Sequence, residues 1–215
     1  MKAVIFDCDG VLVDSEPVYA KAFSDTLGDF GCPLPAGLLA VELQGRSMDD
    51  CYRWLAKHWG FVVTSAFRDA LFSRTDTLIP ALLKPILEVG LLVEELTCPK
   101  AVASNGVRRS VLHNLELCQL KHHFDPHIYT AEQVALPKPA PDIYLHAASK
   151  LQVSPQDCLV IEDSYLGVQS ALAAGMQVCW FGGEEHFNEP LQGRSVFKAS
   201  TMSGVRQVLK KLQLL

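Results

Sequence analysis

A chain of 215 residues, 49% of them hydrophobic, can bury one ordinary globular core plus a small accessory lobe, but not two full domains. A formal net charge of −5 without a basic cluster argues against a polyanion binder, so nucleic acid is not an expected partner. No run of about 18 apolar residues suits a membrane span, and no basic segment leads into an apolar stretch at the N-terminus, so a cytoplasmic protein is expected.

The first predicted element is the short apolar run Lys2 to Phe6, rich in β-formers. From Ser15 to Leu83 a different pattern takes over. Ala20, Phe23, Leu27 and Phe30 recur at helical spacing, as do Cys51, Trp54, Leu55 and Trp59, and then Phe67, Leu71, Leu78 and Leu82. No strand interrupts them, so a helical insert is expected that leaves near Asp14 and returns near Pro80 to Pro85. Beyond it, the apolar runs Ala101–Ala103, Cys158–Ile161 and Val178–Phe181 alternate with helical patterns at Val107–Leu117, Pro141–Leu151 and Tyr165–Ala174, the last with Gly175 as its C-cap. Strands alternating with helices predict an α/β fold, a parallel sheet covered on both faces. The expected division is a core of 1–14 and 84–215 and a helical cap of 15–83. Seven cysteines, scattered and without zinc spacing, read as reduced thiols. His122, His123, His127 and His146 likewise form no metal spacing.

Ligands of open α/β sheets sit beyond the carboxyl ends of the strands. There the chain delivers Asp7 and Asp9, then Ser104-Asn105-Gly106, then Glu162-Asp163, with Lys138 between Pro137 and Pro139 also near that edge. In an extended chain, Asp7 and Asp9 project to one side, roughly 6–7 Å apart, while Cys8 points away. Carboxylates converging on one crevice repel one another, which raises a pKa or recruits a cation. Hard oxygen donors favour Mg²⁺. Ser104, the Asn105 and Gly106 amides at a helix start, and the Lys138 ammonium suit a phosphate group. Aspartate can accept a phosphoryl group as an acyl phosphate. The plain alternatives are a turn at Asp7-Cys8-Asp9-Gly10, a helix N-cap at Ser104, and a cap-helix start at Asp14 or Ser15. Asn105 is expected to act through its amide rather than its side chain.

In this order and separation DCDGV, SNG, KP and EDS resemble the four motifs of the haloacid dehalogenase superfamily, in its phosphatase branch. The insert is similar to the cap of the β-phosphoglucomutase-like subgroup. The resemblance covers essentially the whole chain and implies a Rossmann-like core with an inserted α-helical cap. It implies Asp7 as nucleophile and Asp9 as acid toward the leaving oxygen, then base for water, with Ser104 and Lys138 binding the phosphoryl group. It implies Mg²⁺ on the Asp7 carboxylate, the Asp9 backbone carbonyl and Asp163, with Glu162 nearby or acting through water. A cis Lys138–Pro139 peptide is expected by the same likeness. Dehalogenases of the superfamily lack the second aspartate and the metal, so Asp9 and Asp163 favour phosphoryl transfer.

The expected activity is Mg²⁺-dependent hydrolysis of a small phosphorylated metabolite, a sugar phosphate or a phosphosugar acid such as 6-phosphogluconate, by a monomer or weak homo-oligomer. One alternative is a hexose-phosphate mutase. Such relatives carry a histidine at the cap hinge, whereas here the first histidine is His58. The other is a non-catalytic phosphometabolite binder. Relatives use the loop at Gln44-Gly45-Arg46-Ser47 for substrate choice, so Gly45 and Arg46 are candidate substrate contacts; an Arg46 that merely caps a helix is the plain reading. Arg68 and Arg74 are weaker candidates, and Trp54 and Trp59 read as cap core.

Overall fold

The computed structural model describes residues 1–182 and 196–215. Among these, six parallel strands form one sheet: β1 Ala3–Phe6, β2 Lys100–Ser104, β3 Ile128–Thr130, β4 Cys158–Glu162, β5 Gln177–Phe181 and β6 Val196–Ala199. Their order is β3-β2-β1-β4-β5-β6. The chain therefore moves outward from β1 in one direction, then restarts at β4 on its other side. That reversal opens the crevice in which ligands of such sheets bind.

Side chains of the central strands alternate between two buried layers. Val4, Phe6, Val102, Leu159, Ile161 and Cys179 face one; Ala3, Ile5, Ala101, Ala103, Val160 and Val178 face the other. The first layer is closed by α5 Val89–Glu95, α6 Arg108–Leu117 and α9 Met202–Lys211, the second by α7 Asp142–Leu151 and α8 Tyr165–Ala173. Burial on both faces is why these strands read as continuous apolar runs. After α8 the Gly175 N–H donates to the Leu172 carbonyl and the Met176 N–H to the Ala171 carbonyl, both at 3.1 Å, with Gly175 at φ +76°. This paired pattern ends the helix as anticipated.

The insert between β1 and α5 holds four helices: α1 Glu16–Asp29, α2 Ala36–Leu43, which the sequence pattern does not show, α3 Met48–Trp59, and α4 Ser65–Leu82, one helix where the spacing allowed a helix or a pair. They share a separate apolar core that includes Phe23, Leu27, Leu39, Leu55, Phe67 and Leu71. The helix α4 runs through Pro80 to Leu82. The outgoing and returning segments pair side by side, with Asp14 N–H donating to the Lys84 carbonyl at 2.8 Å and Ile86 N–H to the Leu12 carbonyl at 3.0 Å. Trp54 joins the cap core, but Trp59 is 49% exposed, which corrects its reading as core. No helix of the described residues is long and apolar enough to cross a membrane, and all seven cysteines are free.

Candidate active site

The strand pairing continues one residue past β1, because the Asp7 N–H donates to the Ile161 carbonyl at 2.9 Å. Asp7 is thereby held at the carboxyl edge of the sheet. The chain then turns sharply: the Leu12 and Val13 N–H groups both donate to the Cys8 carbonyl, at 2.8 and 3.1 Å. Cys8 is buried in the layer beneath, while Asp7 and Asp9 both line one cavity.

Lys138 is anchored at its backbone and at its tip. Its N–H donates to Asn105 Oδ1 at 2.9 Å, and its carbonyl accepts from Asn105 Nδ2 at 3.3 Å. Asn105 thus works through its side chain, a correction to the amide role expected for it: the amide side chain supplies both a donor and an acceptor, which fix the short segment carrying Lys138. The Lys138–Pro139 peptide is cis. The side chain, 2% exposed, donates from Nζ to Asp7 Oδ1 at 2.5 Å and to Glu162 Oε1 at 2.7 Å, and Nζ lies 4.8 Å from the centre of the Tyr144 ring.

Glu162 is fully buried and saturated with donors. Oε1 accepts from Lys138 Nζ and from the Tyr144 hydroxyl at 2.9 Å; Oε2 accepts from the Ser164 N–H at 2.9 Å and the Ser164 hydroxyl at 3.0 Å. Four donors match the four lone-pair positions of a carboxylate. The α8 backbone comes so near that a Cβ on Gly167 would lie 1.6 Å from Glu162 Oε1, so only glycine fits there.

Asp9 sits in a different environment. Oδ1 accepts from the Ser15 hydroxyl at 2.5 Å and Oδ2 from the Ser104 hydroxyl at 3.4 Å, while Ser104 Oγ accepts from the Gly106 N–H at 2.9 Å. Ser15 therefore makes no side-chain cap for α1. Its backbone, at φ −94° and ψ −21°, is helical rather than extended as a side-chain cap requires.

The surplus of negative charge appears in the protonation equilibria. Burial pushes Asp7 up to about 8, aided by the charges of Glu162 and Asp9 and opposed by Lys138. Burial also raises Asp9, against hydrogen bonds from Ser15 and Ser104, and raises Asp163 well above the carboxylate range with help from Glu162, Asp7 and Glu16. Burial alone would lower Lys138, but Asp7 and Glu162 more than offset it and hold the ammonium well above its ordinary value. One cation among several buried carboxyls leaves room for another.

The donor set fits Mg²⁺. Ligand oxygens of Asp7, Glu162 and Asp163 lie within 4.8 Å of one another, all of them hard. Because Glu162 already accepts four hydrogen bonds, Asp7 and Asp163 are the carboxylates open to a cation. The Asp9 side chain is outside this cluster.

The cap meets the site through the loop between α2 and α3. Gln44 Nε2 donates to Asp163 Oδ2 at 2.9 Å, and the Gly45 carbonyl accepts from Asn105 Nδ2 at 3.1 Å. Arg46 lines the cavity, and its Nε donates to the Glu42 carbonyl at 2.6 Å in the last turn of α2. Arg68 and Arg74 lie elsewhere: Arg68 stacks on Tyr52 and Arg74 bonds to Asp29 at 2.5 Å. Neither lines the cavity, nor do Trp54 and Trp59. Gln44, of the loop expected to serve substrate choice, does line it, as do Glu16 and Tyr19, which the sequence does not mark out as site residues. Glu16, in the first turn of α1, is raised to about 7 by burial and then by Asp9 and Asp14. Its signal was its position, two residues beyond Asp14 at the entry to the insert.

A parallel sheet with carboxylates and one buried lysine at its switch point, under a helical lobe, defines a class of hydrolase fold. The family of haloacid dehalogenase-like hydrolases matches residues 1–175, and the chain belongs to it. It is 26% identical over 211 residues to a 6-phosphogluconate phosphatase of Escherichia coli K12, covering 98% of this chain and 95% of that one. It is 30% identical over 193 residues to hexitol phosphatase B of the same strain, covering 87% and 86%. Among solved structures, a haloacid dehalogenase family hydrolase of Deinococcus radiodurans R1 with bound phosphate and sodium superposes with a TM-score of 0.77. It is 30% identical, over 100% of this chain and 97% of the other.

Proposed function

We propose that this protein is a Mg²⁺-dependent phosphatase of a small phosphorylated carbohydrate, working through an aspartyl phosphate on Asp7, with residues 15–83 acting as a cap. The observation that carries this reading is the unlike setting of two carboxylates at the sheet edge. Asp7 is bound to the Lys138 ammonium, while Asp9 is held apart by two serine hydroxyls. Two carboxyl groups in unlike environments suit nucleophile and acid/base respectively.

An Asp7 oxygen attacks phosphorus as the ester P–O bond breaks. Asp9, whose proton affinity burial raises, gives its proton to the departing alkoxide, so the alcohol leaves neutral. Water then attacks the phosphorus of the aspartyl phosphate. Asp9 takes a proton from that water, inorganic phosphate departs, and Asp7 is restored. Lys138 and the Ser104 hydroxyl hold the phosphoryl oxygens through both halves, with Asn105 fixing Lys138 and the Gly106 N–H fixing Ser104. Magnesium, when bound by Asp7 and Asp163, supplies charge neutralisation between an anionic oxygen and an anionic phosphate.

The phosphatases of E. coli to which the chain is similar support a phosphorylated carbohydrate as substrate. Among the described residues no histidine lines the cavity, and Tyr19 stands near the hinge with its hydroxyl accepting from Asn114 Nδ2 at 3.1 Å, which supports water rather than a second sugar as acceptor. Borohydride reduction of a rapidly quenched reaction tests the scheme. Homoserine at residue 7 is the expected product, and phosphate release without it would exclude the covalent route.

A further inference from the structure

Tyr144 takes no part in the steps above, yet it touches two members of the sheet-edge cluster. It lies in the first turn of α7, fully buried in the second layer of the core. Its hydroxyl donates to Glu162 Oε1 at 2.9 Å, and its ring centre lies 4.8 Å from Lys138 Nζ. It does not line the cavity, so it meets no substrate.

Two carboxylates compete for the Lys138 ammonium, Asp7 Oδ1 at 2.5 Å and Glu162 Oε1 at 2.7 Å. Only Asp7 exchanges bonds with phosphorus in the scheme above. Glu162 is fully buried and draws no donors from solvent. Its Oε2 is filled by the Ser164 N–H and hydroxyl, and Gly167 closes on the carboxylate from α8. Oε1 has two lone-pair positions, one taken by Lys138 and one by Tyr144. Without the phenol, the ammonium already bonded to that oxygen is the donor at hand. An ammonium that turns a second N–H toward Glu162 turns away from Asp7.

Resting on the phosphatase reading above, we propose that Tyr144 is a positioning residue for phosphoryl transfer: its hydroxyl occupies the second lone pair of Glu162 Oε1 and so keeps Lys138 on Asp7 and the transferring phosphoryl group. The ring is core packing that any aromatic residue supplies, and the hydroxyl carries the function. Charge spreads over the phosphoryl oxygens as the transition state forms, so a displaced ammonium is felt there more than in the bound ester.

Tyr144→Phe keeps the ring and removes only the donor. With p-nitrophenyl phosphate and 6-phosphogluconate in saturating Mg²⁺, kcat is expected to fall about tenfold on each ester that is hydrolysed, the scale of one hydrogen bond to a charged group, with KM held within about twofold. Inhibition constants separate this role from a structural one, because they do not depend on how much of the protein is folded. The constant for orthovanadate, which takes up the five-coordinate geometry of the transition state, is expected to rise about tenfold, and that for inorganic phosphate by no more than about twofold. An unchanged kcat, or a lower kcat with vanadate bound as tightly as before, overturns the proposal. In a Glu162→Gln background the competing charge is gone, so Tyr144→Phe is expected to move the vanadate constant by no more than about twofold. A full tenfold rise there too overturns the route through Glu162. Release of phosphate from neither ester by the unsubstituted protein would bring down the phosphatase reading, and this role with it.

Discussion

The sheet edge and the cap solve the problem of placing side chains in opposite ways. At the sheet edge, ions and hydrogen bonds do it: Lys138 is tied at its backbone N–H, its carbonyl and its ammonium, and Glu162 by four donors. In the cap, four helices hold one another by apolar contact, and a loop touches the site through Gln44 and Gly45. Directional bonds fix angles and distances, as chemistry requires; apolar packing fixes only proximity, which suffices for recognising a leaving group. Substitutions at the edge should therefore strike the rate or the whole fold, and those in the cap should strike substrate preference.

The largest effect is expected from Asp7→Asn. It keeps the volume and removes the nucleophilic charge, so kcat should fall about 10³-fold or more. The melting temperature should hold or rise, because the replaced carboxyl is one that burial pushes up to about 8. Retained turnover, read as phosphate release, would break the assignment of chemistry to this edge.

Next comes Lys138→Met. It leaves Asp7 and Glu162 facing each other in a buried site without their shared cation, which should cost about 3–5 kcal/mol in stability by urea unfolding, besides the loss of activity. Adding Asp7→Asn to it should restore part of that stability, since one of the two carboxyl groups left without the ammonium goes. Strictly additive losses would show that the pair does not interact as its 2.5 Å contact indicates.

A smaller effect follows from pH. In chelator-treated protein the folded state holds a proton on Asp7 up to about pH 8, whereas the unfolded chain releases it near 4. The folded state thus binds more protons across this window, and stability falls as pH rises through it, by at most about 1.4 kcal/mol per unit for one group. Denaturation midpoints between pH 6.5 and 8 should decline in the chelator and stay level in saturating Mg²⁺. A rise with pH in the chelator would contradict the raised carboxyl.

The contrast also explains what could be read from sequence. Strands buried on both faces, such as Cys158–Glu162, write themselves as apolar runs, and the charges at their ends stand out because nothing apolar explains them. The three-residue edge strand Ile128–Thr130 lies below the length at which a pattern is visible. The helix α2 Ala36–Leu43 is apolar nearly all round, with Leu39 its one fully buried side chain, so it shows little amphipathic period. Asn105 and Ser15 were legible as polar residues near the site but not in their roles. A side chain that bonds residue 138 or residue 9 depends on how the chain returns, which spacing does not encode. Glu162 is the subtler case: its position beside Asp163 suggests a metal ligand, and only its four donors reveal that its oxygens are already engaged.

Gly45→Ala sharpens the comparison with the smallest change. Gly45 has φ +69°, and an added Cβ would lie 2.5 Å from both Cβ and Oγ of Ser164. The left-handed conformation alone costs an alanine about 1–2 kcal/mol, and the clash with Ser164 adds to it. The loop can escape both by lifting from the sheet edge, releasing the contacts to Asp163 and Asn105 while the cap core stays packed. The melting temperature should therefore move by no more than about 2 °C, while kcat/KM on the preferred ester drops about tenfold. Hydrolysis of p-nitrophenyl phosphate, whose activated leaving group leans less on the cap, should drop less. A loss equal for both esters would mean that Gly45 serves the edge itself, holding Ser164 and through it Glu162, and the boundary between the two regions would have to be drawn on the other side of the loop.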